Sequence, residues 1–333
     1  MSPAAPPLLA APPWSEGSSG RPRRVGVELE MNGIDLEQLA RAVAESFDLV
    51  PERVGRYEWR LSGDRAGVWV VEVDSSVLKK MGRREREPGT VAGEVGASAE
   101  AAVALVVEAV MPVEVVSPPL PLRRLGEVER LIERLRAAGA KGTSERLISA
   151  FGMQINAEAP SLETPAITAI LKAFLCLYDW LALRAKVDLS RRMTVFIDPF
   201  PLDYARRVVD PGYAPDQAGL IEDYLRWNPT RNRVLDLLPL FVHLDAARVR
   251  AAVRDDRVKG RPAYHYRLPN CDIHREGWTL AASWNDWVEV ERLAADPARL
   301  AGCTEAYAGF LARAYNRWTG DWAAEVERAW LGR

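Results

Sequence analysis

The stretch Arg24-Val25-Gly26-Val27-Glu28-Leu29-Glu30-Met31 alternates apolar side chains with a glycine and two glutamates. Successive side chains of a strand point to opposite faces, so Val25, Val27, Leu29 and Met31 share one face and Gly26, Glu28 and Glu30 the other. Two carboxylates then stand side by side, a repulsion that a sheet tolerates when water, an arginine or a divalent cation offsets it. The stretch is read as a strand of a central sheet that builds a cation site. The competing reading is the solvated outer face of an edge strand.

Other stretches repeat this pattern. Residues 67–74 put Trp69, Val71 and Val73 on one face and Glu72 and Asp74 on the other. Residues 111–120, stopped by Pro118-Pro119, set Glu114 against Val113 and Val115. Residues 151–158 carry Gln154 and Asn156, with Glu158 at the end, on the polar side. In residues 263–269, His265 and Arg267 share a face.

Helices are expected at 35–47 with Asp35 as cap, at 97–109, at 122–138 ended by Gly139, and from Thr164-Pro165 to about Arg184. Residues 190–200 are read as a strand and 79–96 as a solvated charged loop. Two helices are expected within 215–245, separated by Asn228-Pro229-Thr230-Arg231-Asn232-Arg233. Thr230 would cap the second, leaving Arg231 and Arg233 in its first turn, where cations oppose the helix dipole. That placement makes sense if an anion arrives; pairing with Asp223 or Asp236 is the competing reading. Trp278, Trp284 and Trp287 are read as core, because no basic residues interleave them as a base-stacking platform requires.

Composition narrows the classes. With 333 residues, 48% hydrophobic and a net charge of −2 of mixed sign, the chain can bury a large core and has no global basic field for nucleic acid or an anionic membrane. The three cysteines lie far apart and form no CxxC pair, so neither a disulfide framework nor a zinc site is expected, and a reduced cytoplasmic protein is the default. Residues 1–23 read as a disordered leader rich in Pro, Ala, Ser and Gly, and 24–333 as a single catalytic domain with a helical elaboration over about 160–255. The apolar runs at 99–116 and 166–183 are broken by charged residues, so neither is expected to span a membrane.

The expected fold is α+β: a mostly antiparallel sheet with helices on its apolar face. Its polar face would hold Glu28, Glu30, Glu72, Asp74, Glu114, Gln154, Asn156, His265 and Arg267. Hard oxygen ligands with an arginine among them suit Mg²⁺ that in turn holds phosphate.

Several segments resemble the amidoligase family, relatives of glutamate–cysteine ligase and glutamine synthetase. They are GVELE at 26–30, EVVSPPL at 114–120, FGMQIN at 151–156, NPTRN at 228–232 and HYRLPN at 265–270, and the likeness covers about residues 24–295. The resemblance implies a glutamine-synthetase-like domain and ATP-dependent amide formation, in which a carboxylate of a small molecule or peptide takes the γ-phosphoryl group and an amine attacks the acyl phosphate. It implies Glu28, Glu30 and Glu114 as metal ligands and Arg267 as the group that neutralises the phosphoryl in transfer. Arg267, Glu72 and Asp74 are the expected catalytic residues, and Gln154, Asn156, Arg231, Arg233 and His265 the nucleotide contacts. Many family members have histidines where this chain has Gln154 and Asn156, and amides cannot shuttle protons. Two alternatives follow: a degenerate ligase fold kept for nucleotide binding or protein interaction, and a guanidino kinase. No nucleic-acid or membrane partner is expected.

Overall fold

The computed structural model describes residues 8–73, 112–142, 152–185, 198–313 and 321–331. Asp74, the loop at 79–96, the helix expected at 97–109 and most of the strand expected at 190–200 lie outside them. The fold is α+β, with a mostly antiparallel sheet. The chain packs as two compact units. One is built on Gly26–Met153 with Asn270–Thr279, the other on Ala5–Val25, Gln154–Pro269 and Leu280–Arg333.

The first unit contains β1 (Arg24–Met31) from Gly26 on, α1 (Leu36–Phe47), β2 (Val50–Gly55), β3 (Glu58–Ser62), β4 (Trp69–Val73), β5 (Val113–Val116), β6 (Leu120–Pro121) and α2 (Leu125–Ala137). Its strands run in the order β2-β3-β4-β5-β1, and β6 also pairs with β1. Helix α1 starts where expected because Asp35 and Gln38 close a capping box: Gln38 N–H donates to Asp35 Oδ1 at 2.7 Å and Asp35 N–H to Gln38 Oε1 at 3.2 Å. Its apolar stripe, with Leu39 and Val43 fully buried, packs on β2, β3, β4 and α2, and Phe47 stacks on Trp69 at 4.2 Å. Helix α2 is preceded by a 3₁₀ turn at Leu122–Arg124, so the helix proper starts three residues later than the sequence suggests. The hairpin β2–β3 has no counterpart in the sequence reading. Strand β2 is an edge strand, largely exposed and carrying Pro51, Glu52 and Arg53, the composition that blunts an edge and erases apolar alternation.

The second unit contains β7 (Met153–Glu158) from Gln154 on, α3 (Thr164–Arg184), α4 (Leu202–Val209), α5 (Gln217–Trp227), β8 (Leu235–Asp236), α6 (Leu238–Leu244), α7 (Ala246–Ala252), β9 (Ala263–Tyr266), α8 (Leu280–Ala294), α9 (Pro297–Ala312) and α10 (Trp322–Ala329). Strands pair as β7-β9-β8. Helix α3 is apolar nearly all round because α4, α8, α9 and α10 pack against it. By length and composition it is the one helix among the described residues that could cross a bilayer, and 67% of its most apolar window is buried inside the fold. Strand β9 turns Tyr264 and Tyr266 onto Trp287, at 5.7 and 5.5 Å, and Tyr266 meets Phe174 edge-on at 5.9 Å. Trp284 and Trp287 are core residues, as expected.

The helix expected to begin at Thr230 does not form there. Asp198 N–H donates to Asn232 O at 2.7 Å and Val234 N–H to Asp198 O at 3.2 Å, and Leu235 and Asp236 then pair with Tyr266 and His265. Backbone groups committed to these ladders cannot close helical turns, so α6 waits until Leu238. Residues 8–23, part of the stretch read as a disordered leader, are held in place here. Arg23 is fully buried, with Nη1 and Nη2 donating to the two oxygens of Glu291 at 2.8 and 2.6 Å, Nε to Glu158 O and Nη1 also to Trp14 O.

Candidate functional site

The first unit carries a row of acids. Across the antiparallel ladders Glu58 faces Glu72, Glu72 faces Glu114, and Glu114 faces Glu30. Directly opposed residues project to the same side, so four carboxylates on four adjacent strands line one face, in a row roughly 14 Å long at the usual strand spacing. Glu28 stands two residues from Glu30 on that face. Apolar side chains fill the other face: Leu29, Val71 and Val115 form a parallel row, with relative exposures of 1% or less.

Within the row Glu58 and Glu114 are buried and Glu28, Glu30 and Glu72 half-buried. Glu30 is clasped to Gly152 of the same unit, since its N–H donates to Gly152 O at 3.1 Å and Gly152 N–H donates to Glu30 Oε2 at 2.8 Å. Arg60, two residues along β3, donates from Nε to Glu58 Oε1 at 3.4 Å. Among the described residues no three His, Cys, Asp or Glu side chains converge as a ready-made metal cage. A cavity of about 560 Å³ lies on the opposite, helix-covered face, with Asn32, Arg53, Arg56, Tyr57 and Trp59 in its lining, so it does not open on the acids.

The second unit carries a polar face with arginines at its edge. Asn156 pairs with His265 across β7 and β9, and His265 with Asp236 across β9 and β8, so these three share a face on which every member is at least nine-tenths buried. Strand alternation adds Gln154 and Arg267. His265 Nε2 lies 2.6 Å from Gln154 Oε1, and His265 Nδ1 lies 3.5 Å from Asp236 Oδ2. Arg261 Nη2 donates to Asn156 Oδ1 at 2.6 Å. Arg267 Nη1 donates to Arg231 O at 3.3 Å, and its buried Nε has no partner among the described residues.

The electrostatics follow from burial and from three arginines. Burial, then the charges of Arg267, Arg261 and Arg231, hold His265 well below the usual imidazole range, so it is neutral. Burial pushes the Asp236 carboxyl up to about 7, against the Leu238 N–H and the same three arginines, which pull it down. Arg233 is used differently: Nη1 and Nη2 donate to Pro199 O and Trp227 O, which pins the end of α5.

Each unit thus assembles part of the expected set: Glu28, Glu30, Glu72 and Glu114 in the first, Gln154, Asn156, Arg231, His265 and Arg267 in the second. Asp74 lies outside the described residues. The sequence reading missed Glu58, Asp236 and Arg261. Glu58 had a signal, since Tyr57, Trp59 and Leu61 alternate with Glu58 and Arg60. Asp236 entered that reading only as a pairing partner for Arg231 or Arg233, because a two-residue strand has no period to mark it as a site residue.

The family model described as "Putative amidoligase enzyme" matches residues 21–289, well over half of the chain. No curated protein and no solved structure matches.

Proposed function

Starting from the fact that the chain belongs to the amidoligase family, we propose that it is an ATP- and Mg²⁺-dependent, ADP-forming carboxylate–amine ligase that works through an acyl phosphate. The observation that carries the reading is the row Glu58, Glu72, Glu114 and Glu30, with Glu28 beside it, on one sheet face. A sheet aligns that many like charges at a cost, and function is the common reason to bear it. The glutamine-synthetase-like arrangement implied by the resemblance belongs to the same proposal.

The donor set is all carboxylate oxygen, which matches Mg²⁺. That ion takes one or two protein carboxylates and completes its shell with water and phosphate oxygens, so a cage of three protein ligands is not required. In this reading Glu28, Glu30 and Glu114 would share two or more such ions, one or two carboxylates to each, and the ions when bound would supply positive charge to the phosphate oxygens of the nucleotide. Arg267 neutralises the phosphoryl group in transfer, with Arg231, Gln154, Asn156 and His265 as nucleotide contacts. Glu72 and Asp74, the other catalytic residues of this reading, would take a proton from the attacking amine. Arg233 stays in the same proposed set of nucleotide contacts, with Nη1 and Nη2 donating to two carbonyls. The substrate carboxylate attacks the γ-phosphorus and ADP leaves; the amine then attacks the acyl carbon and phosphate leaves.

The test is product analysis by mass spectrometry after incubation with ATP, Mg²⁺ and pooled acids and amines. ADP, phosphate and amide are expected one for one, and hydroxylamine in place of the amine should trap a hydroxamate. AMP would overturn the mechanism, and ATP binding without turnover would favour the binding-module alternative. The double variant Glu28→Gln/Glu30→Gln should lose Mg²⁺-dependent ATP binding while keeping its thermal unfolding midpoint. Unchanged metal affinity would remove these two residues from the site.

A further inference from the structure

We propose that the acid substrate is an α-amino acid whose long apolar side chain ends in the reacting carboxylate, and that Arg60 and Glu52 hold its zwitterionic head. The proposal deepens the ligase reading and rests on it for the ions that would meet the reacting carboxylate.

A second row lies beside the acids, within the first unit. The ladders pair Glu28 with Val116, Val116 with Val70, Val70 with Arg60 and Arg60 with Glu52. Directly opposed residues project to one side, and Glu28, Val116, Val70 and Arg60 each stand two residues from a member of the acid row, so both rows share a face. Val50, opposite Ser62, and Val68, two residues before Val70, fall on that face too. These valines are open where their neighbours are covered. Val70 and Val116 are half-buried and Val50 and Val68 are 67% and 49% exposed, whereas Val71 and Val115 on the helix-covered face are fully buried. Open apolar surface next to a row of acids suits the apolar body of a substrate, which would displace the water on it.

The far end of the row carries two charges that the fold uses little. Arg60 donates from Nε to Glu58 Oε1 at 3.4 Å, and its side chain is half exposed, which leaves both Nη groups, the fork that a carboxylate fits, for a ligand. Glu52, directly opposite, is exposed and forms no ion pair among the described residues. Glu58, Arg60 and Glu52 together carry one net negative charge. A simple anion on Arg60 is therefore opposed by Glu52, whereas a zwitterion sets its carboxylate on the fork and its ammonium on Glu52. The competing role for Arg60 is to offset the buried Glu58 alone, in which case Glu52 has no effect on any ligand. Length follows from the register. Glu28 and Arg60 are three strand spacings apart, roughly 14 Å, and the ion at one end and the Arg60 side chain at the other leave a gap of roughly three residues of extended chain.

Calorimetry on the full chain, with Mg²⁺ and a non-hydrolysable ATP analogue, compares 2-aminosuberate, suberate and octanoate. Wild type should bind 2-aminosuberate about fivefold more tightly than suberate, the upper scale of an exposed ion pair. Glu52→Gln should erase that preference and bind suberate more tightly than wild type does, because the repulsion is gone while the fork remains. Arg60→Gln should weaken 2-aminosuberate about tenfold relative to octanoate, and Arg60→Lys should recover only part of the loss, since an ammonium lacks the fork.

Equal binding of the three probes by wild type, or a preference for 2-aminosuberate that Glu52→Gln leaves unchanged, would overturn the proposal. If Arg60→Gln does not fold, because Glu58 is buried beside it, the Glu52 variant decides. Assays with ATP and hydroxylamine separate the proposal from the ligase reading. Hydroxamates formed equally well from all three acids would uphold the ligase and overturn the subsite. Glu52-dependent binding of 2-aminosuberate with no release of ADP would uphold the subsite and overturn the ligase reading.

Discussion

Arg267 is the residue whose setting separates chemistry from structure most sharply. It is 9% exposed, its Nη1 donates to Arg231 O at 3.3 Å, and its Nε has no hydrogen-bond partner among the described residues. A buried donor left without an acceptor costs about 1–3 kcal/mol, a cost that an arriving anion would relieve. Arg267→Lys should therefore fold like wild type and lower kcat by about a hundredfold or more, because an ammonium cannot hold a phosphoryl group bidentately. Steady-state kinetics with a thermal melt on the same sample check this, and wild-type turnover would make the arginine structural. Glu58 is the residue-scale surprise: it completes the acid row at 2% exposure, and its signal was hidden because the strand before it shows no apolar alternation.

At the scale of elements, the segment before β1 acts as a strap on α8. Arg23 and Glu291 are both fully buried, and Trp287 Nε1 also donates to Glu291 Oε1 at 2.6 Å. Removing one partner leaves a buried charge, so Glu291→Ala should destabilise by about 3–5 kcal/mol, whereas Arg23→Met/Glu291→Leu should recover most of that loss. Denaturant melts of the two variants test the asymmetry; equal losses would show that packing, and not the charge, dominates. Gly142 makes a second element-scale point. A Cβ there would meet Cys271 O at 1.9 Å, while its N–H donates to His274 Nδ1 at 3.0 Å. Gly142→Ala must push the 270–274 backbone aside, at about 1–3 kcal/mol by the usual cost of overpacking, which a thermal melt would read as a lower midpoint.

For the whole molecule, the pH dependence of stability is set by a few groups whose signs differ. Asp64 is pulled down to about 2, first by its hydrogen bonds from Arg124 at 2.7 and 3.0 Å, and Asp255 likewise by Arg257. Depressed carboxylates contribute stability above their unfolded pKa of about 3.9 and lose it as pH falls towards 2. For Asp64 that is about 1–2 kcal/mol, and for Asp255 less, because Arg257 is half exposed and screened. The Asp236–His265 pair behaves otherwise. Between about pH 4 and 6.5 the folded pair holds one proton, on Asp236, and the unfolded pair also holds one, on the histidine, so their contributions to the slope cancel. Below about pH 4 the unfolded pair takes a second proton and stability falls. Urea midpoints from pH 3 to 7 should be nearly level above 5 and drop below 4, and Asp64→Asn should lower the level region and shallow the drop.

The local patterns that a sequence can express were legible: the β1 alternation with its two glutamates, the Asp35 cap of α1, the amphipathic stripe of α2 and the apolar run that becomes α3. Each is decided within a few residues by period, capping or composition. What only the tertiary structure decided is which acids face one another and which basic groups meet. The row from Glu58 to Glu30 joins residues from four strands whose register no local period specifies, and its Glu58 member sits behind an edge strand with no apolar alternation. Arg231 and Arg233 lie in a turn and not a helix, because residues 232–236 are spent on backbone pairing with Asp198 and β9, segments far away in sequence. Asp236 acquired its raised pKa and its contact with His265 the same way, from burial and from neighbours that long-range pairing brought to it.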